Sequence, residues 1–225
     1  MVGVVSSRLG RLACGGALIG ARHALTAAHC LRDLTPSEVA LLLADHDTST
    51  GKETNATRME PVIELLLHPQ FDPAKIQNDL AIVKTAKRVD FNQRLGPVCL
   101  PFTHPETFVG QKVTALGWGT TEFGGETPDK LRKVKLDVVP VEECVRVYGQ
   151  NKITRDKQIC TYSNGKDACQ FDSGGPVVWL DSRSGRWMLA GIISYGRGCA
   201  ENGIPSVNVR TYSYLDWIVA NTAGK

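Results

Sequence analysis

Short apolar runs broken by turn residues recur along the whole chain, and a fold built on long helices cannot accommodate that rhythm. The runs fall at 12–21, 39–43, 62–67, 80–84, 112–116, 131–139, 177–180, 188–194 and 206–209. Most have the length of a strand, and many are rich in Val, Ile and Leu. Gly124-Gly125, the segment 181–185 and Asn202-Gly203 read as turns between them. Two helices are expected. At the C-terminus, Ser213 and Asp216 have capping-box spacing, and Leu215, Ile218 and Val219 form an apolar face with Trp217 beside it. A shorter helix over 140–148 starts at a proline. The segment 96–106 carries three prolines and few strand signals, so it reads as the connection between two β halves.

The 225 residues suffice for one large domain or two small packed halves. A net charge of +3 with scattered basic residues describes a solvated surface, not a nucleic-acid site. No stretch is apolar for long enough to span a membrane. Seven cysteines without a Cys-x-x-Cys pair argue against zinc and for disulfides in an oxidising compartment. The odd count leaves one without an internal partner. Asn55-Ala56-Thr57 is a glycosylation sequon and adds modest support for secretion. Residues 1–7 lack the basic start of a leader, so the chain is expected to be part of a longer secreted protein.

Three short motifs carry chemistry. Ser173 lies in Asp172-Ser173-Gly174-Gly175-Pro176, where glycines let backbone and substrate approach closely. A serine hydroxyl needs a base beside it to act as a nucleophile. His29, in Leu25-Thr26-Ala27-Ala28-His29-Cys30, offers an imidazole suited to taking that proton near neutral pH. Asp79 opens the apolar segment Leu80-Ala81-Ile82-Val83, where a carboxylate is costly unless paired. Its useful role is to hold the imidazole in one tautomer. Taken singly, each has an ordinary reading as a tight turn, a structural histidine or a strand-edge cap. The order His, Asp, Ser separates this set from other serine hydrolases, and Ser173 has no Gly-x-Ser-x-Gly elbow.

With these residues, and with Cys14-Gly15-Gly16-Ala17-Leu18-Ile19, Gly117-Trp118-Gly119, Ser194-Tyr195-Gly196 and Tyr214-Leu215-Asp216-Trp217-Ile218, the chain resembles the chymotrypsin-like serine proteases over nearly its whole length. The resemblance implies an all-β fold of two packed six-stranded antiparallel barrels and a C-terminal helix. The barrels would occupy about 1–100 and 101–225 of a single peptidase domain. It implies disulfides Cys14–Cys30, Cys144–Cys160 and Cys169–Cys199, each stabilising by roughly 3–4 kcal/mol through loop closure. A further family pair is absent, its places held by Val113 and Trp179. Cys99 is left over and is expected to tether an upstream propeptide or light chain.

The same resemblance implies the site. Asp167, six residues before Ser173, would lie at the base of the primary pocket and pair with a substrate Arg or Lys. Ser194, Tyr195 and Gly196 would form the pocket wall that pairs with substrate backbone. Ser206 stands where glycine is usual, which would narrow the pocket and give either a preference for Arg over Lys or a generally weaker primary pocket. Phe171 also replaces a usual glycine, and its N–H with that of Ser173 would form the oxyanion hole. Asp172 would receive the amine freed by zymogen cleavage. That activation start has no match here, because residues 1–5 correspond to a strand beyond it. The expected activity is endopeptidase cleavage after Arg or Lys through an acyl-enzyme. The alternative is a non-catalytic homologue acting as a binding or cascade cofactor, kept open by Phe171 and the missing start. The substrates are peptides or proteins, and no cofactor is expected. Asp45, Asp47 and Glu53 lie where some relatives bind calcium, but a solvated polar loop is the simpler expectation and no metal is assigned.

Overall fold

Alternating burial is the local signature of a sheet with one face on a core, and the segment 39–43 shows it: Val39, Leu41 and Leu43 turn inward while Ala40 and Leu42 do not. That strand belongs to a barrel in a computed structural model that describes residues 1–51, 53–104 and 107–223. The first barrel comprises β1 (Val2–Ser6), β2 (Arg11–Leu18), β3 (His23–Thr26), β4 (Val39–Leu43), β5 (Arg58–Leu67) and β6 (Ala81–Thr85), closed in the order β1-β2-β3-β6-β5-β4. The second comprises β7 (Lys112–Gly117), β8 (Arg132–Val139), α1 (Val141–Tyr148), β9 (Gln158–Tyr162), β10 (Pro176–Asp181), β11 (Arg186–Tyr195) and β12 (Ser206–Arg210). Its strands close as β10-β11-β12-β9-β8-β7. Every named strand pair is antiparallel, and closure leaves no sheet edge to guard. The expected fold class is therefore the observed one. Of the connection expected over 96–106, Pro105 and Glu106 lie outside the described residues.

Each barrel has its own apolar filling, and a third cluster joins them. Ala17, Leu25, Leu80 and Ile82 from the first barrel meet Leu189, Ile192 and Val209 from the second, with Ile218 of the terminal helix α2 (Leu215–Thr222). Burial of this shared surface fixes how the two halves face each other. The places of the absent family disulfide are filled by packing: Val113 is buried, and Trp179 lies against the rings of His104 and Phe108 at 5.2 and 5.3 Å.

Two details of α2 differ from the expectation. No capping box forms. The residue preceding the helix, Tyr214, makes no side-chain cap, and the Ser213 hydroxyl instead donates to the carbonyl of Asp156. The segment Thr211–Tyr214 is a 3₁₀ turn that feeds directly into the helix, so Ser213 is already inside helical geometry. Nor is Val219 on the docked face. Ile218 is fully buried and Leu215 nearly so, while Val219 is 41% exposed, and Trp217 packs beside His68 at 5.0 Å. We expect Ile218→Ala to cost about 2–5 kcal/mol and Val219→Ala to stay within about 0.5 kcal/mol. Urea unfolding of the oxidised protein measures both.

Candidate active site

Pairing of β3 with β6 sets Thr26 opposite Ala81. His29 follows on the 3₁₀ turn Ala28–Cys30 after β3, and Asp79 lies two residues ahead of β6, so the same register brings the two side chains together. The Cys14–Cys30 disulfide ties that turn to β2. Asp79 has 1% of its surface exposed. One carboxylate oxygen accepts the backbone N–H of His29 at 2.8 Å; the other pairs with His29 Nδ1 at 2.7 Å and accepts the Ser194 hydroxyl at 2.5 Å. A proton on Nδ1 leaves Nε2 as the acceptor nitrogen, which lies 3.8 Å from the Cys30 sulfur.

Ser173 precedes β10 on a turn stitched to both barrels. Its carbonyl accepts the Gly15 N–H of β2 at 2.8 Å, and the Gly174 N–H donates to Ile193 of β11 at 2.8 Å. Gly174 has φ +79°, and a Cβ there would collide with the Thr26 side chain and the Gly15 carbonyl. The Ser173 hydroxyl rests 3.5 Å from the Ser194 carbonyl. His29, Ser173, Ser194, Tyr195, Gly196 and Ser206 line one cleft, with Phe71 and Phe123 among its apolar walls. His29, Asp79 and Ser173 are thus brought to one region, although the Ser173 hydroxyl is turned to Ser194 and not to His29. Among the described residues neither the Phe171 N–H nor the Ser173 N–H donates to a protein acceptor.

Asp167 does not line this cleft and is linked to it through Ser206. Its carboxylate accepts the Ser206 hydroxyl at 2.7 Å and the backbone N–H groups of Ala168 and Ala200 at 2.9 and 3.2 Å. Burial pushes its pKa upward, and these three donors work against that rise. Ser206 lines the cleft in front of the acid, and a Cβ on Gly196 would lie 2.8 Å from the Ser206 hydroxyl, so the opening between them is narrow.

The trypsin family profile matches residues 1–218. The chain belongs to the trypsin family of serine proteases. It is 39% identical to "Venom serine protease 34" of Apis mellifera across 99% of this chain and 55% of that protein. It is 38% identical to "Venom serine protease" of Polistes dominula, across 94% and 76%. To "Trypsin-1" of Astacus astacus it is 37% identical, across 92% and 87%. The chain thus spans about half of the Apis protein and three quarters of the Polistes one. No helix among the described residues is long and apolar enough to cross a membrane.

The three disulfides implied by the family resemblance are all formed, and Cys99 is free and partly exposed. Glu53, one of the three acids of the polar loop, accepts the backbone N–H groups of His46 and Asp47. Asp172 lines a second cavity of about 260 Å³ with Gly117, Gly119, Thr120, Asp167 and Cys169. Its carboxylate accepts the N–H of Gly119 at 2.7 Å and of Cys169 at 2.9 Å. The acid is therefore met by two backbone donors, though burial and the nearby Asp167 still raise its pKa.

Two contributors went unread in the sequence. A Cβ on Gly117 or Gly119 would overlap the Asp172 carboxylate, so the Gly-x-Gly spacing is a steric requirement of that acid. The Ser194 hydroxyl is an Asp79 ligand, which leaves the backbone of Ser194 as its part of the wall. The β11–β12 register shifts between Ile193 and Tyr195, and the bulge turns Ser194 toward Asp79. We expect Gly119→Ala to lower stability by about 1–3 kcal/mol through overpacking against Asp172, read as a drop in Tm, whereas Gly124→Ala meets no neighbouring atom. Since Gly124 has φ +75°, only the backbone cost of that substitution should remain.

Proposed function

We propose that this chain is the catalytic domain of a secreted serine endopeptidase that cleaves peptides after Arg, and less readily after Lys. The observation that carries the reading is the buried Asp79 carboxylate holding His29 Nδ1 at 2.7 Å beside a Ser173 turn built on glycine. Ser173 Oγ rotates from Ser194 to His29 Nε2 and attacks the scissile carbonyl as His29 takes its proton. The Phe171 and Ser173 N–H groups receive the oxyanion. His29 then returns the proton to the leaving amine, and water repeats the sequence on the acyl-enzyme. Asp167 supplies the negative charge for the basic side chain, and the Ser206 hydroxyl in front of it favours the longer, forked guanidinium. Asp172 and its cavity receive an amine freed by cleavage upstream of β1, and Cys99 ties on an upstream segment.

The test is a burst titration with an arginine-type active-site titrant, alongside labelling by a serine-directed fluorophosphonate and turnover of matched Arg and Lys peptides. It is run on this chain and on a form extended upstream and then cleaved. A stoichiometric burst in the cleaved form, lost in Ser173→Ala, supports the proposal. No burst and no labelling in either form would favour a non-catalytic homologue.

Asp167 also sets a pH dependence. A cationic ligand needs the ionised acid, and burial raises the pKa, so affinity is full above that raised value and falls as pH drops through it. Binding of an amidine should weaken at a higher pH than the value of about 3.9 for an exposed aspartate would allow. Calorimetric titration from pH 8 downward reads the midpoint, and Asp167→Asn should remove both the affinity and its pH dependence.

A further inference from the structure

Phe171 has φ +73°. A side chain in the left-handed region is crowded by its own carbonyl, a penalty glycine does not pay. The conformation matters because φ at 171 sets the plane of the 170–171 peptide. A return to negative φ would swing that peptide and carry the Phe171 N–H away from the cleft. Asp172 and Ser173 are pinned on the other side by the Asp172 N–H to Cys169 carbonyl bond at 3.1 Å and the Gly15 N–H to Ser173 carbonyl bond at 2.8 Å. Among the described residues no acceptor holds the Phe171 N–H itself. The other end of that peptide is anchored, since the Gln170 carbonyl accepts the Thr120 N–H at 2.9 Å, and a hold through the Phe171 side chain would act together with this bond.

That hold comes from the other barrel. The Arg11 guanidinium lies over the Phe171 ring, 4.6 Å from its centroid. Arg11 opens β2 and is paired with Ser6 of β1, so its backbone is fixed. Among the described residues no carboxylate comes within ion-pair reach of it. The cation is therefore free to serve the ring face.

We infer that Arg11 is a positioning residue: its cation clamps the Phe171 ring and so keeps the 171 backbone left-handed, with its N–H presented to the cleft. This rests on the protease reading for its kinetic consequence, but not for the clamp itself. Substituting Phe171 by Gly would remove the need for Arg11, because glycine adopts positive φ unaided.

The test is a cycle of wild type, Arg11→Ala, Phe171→Gly and the double variant, made in the full-length activated protein and read as kcat, KM and Tm. Arg11→Ala should lower kcat about two- to fivefold at unchanged KM when Phe171 is present and leave kcat unchanged in the Phe171→Gly background. Arg11→Lys should recover most of the loss, and Arg11→Met should not. Tm should show the same dependence, a fall of about 1–4 °C with Phe171 and none with Gly. Equal losses in both backgrounds, or an effect confined to KM, would overturn the inference. If wild type turns nothing over, the protease reading fails on its own, and the Tm cycle decides the clamp by the same criterion.

Discussion

A carboxylate with almost no contact with water has to be met by donors, and the arrangement around Asp79 follows from that need. Leaving it unpaired would cost several kcal/mol. The first barrel supplies both donors of His29, and the second supplies the Ser194 hydroxyl. Asp79 therefore joins the two barrels as well as orienting an imidazole. The residue before it is held in the same way. Asn78 accepts from Lys157 at 2.9 Å and from the Tyr214 hydroxyl at 3.2 Å, both from the second half of the chain. Apolar burial between the barrels brings the halves together, and these polar contacts specify their register.

Asp167 and Asp172 are two half-buried acids, met differently. Neither is met by a cation among the described residues; backbone N–H groups and one serine serve them. Both carboxyls are pushed upward, Asp172 partly by Asp167 itself. The segment between them thus carries negative charge that is hydrogen-bonded but not neutralised. Both acids line the same cavity, and uncompensated negative charge of this kind favours a cation there.

The β class was legible from run lengths alone, but the runs did not reveal every strand. β3 has four residues, and β9 reads Gln158-Ile159-Cys160-Thr161-Tyr162, so neither has an apolar run long enough to stand out. Both are buried on both faces, where alternation is lost. His29, Asp79 and Ser173 were legible because their chemistry is scarce and their order is specific. The hydroxyl roles of Ser194 and Ser206 were not, because each depends on a partner far away in the chain: Asp79 for one, Asp167 for the other. The missing capping box has a similar origin. Ser213 and Asp216 have the right spacing, but the carbonyl of Asp156, brought near by tertiary packing, takes the hydroxyl.

Backbone strain follows the same map. Six described residues other than glycine have positive φ, and four of them border the candidate site: Ile76, Asn78, Phe171 and Ala200. Three of the four have a visible hold. Asn78 is fixed by Lys157 and Tyr214, and its amide donates to Gln70 at 2.8 Å; Ala200 donates its N–H to Asp167; Phe171 lies under Arg11. In each, a contact with a residue distant in sequence offsets a local cost, so the strained geometry exists only in the assembled fold. Ile76 has no such bond; it lines the cleft wall with Phe71 and Pro73, between the anchored Gln77 and the Asp72 turn. A glycine at Phe171 would adopt its conformation without help, but it would also widen the conformational freedom of the unfolded chain. A clamped phenylalanine ties the direction of the N–H to the docking of the first barrel on the second.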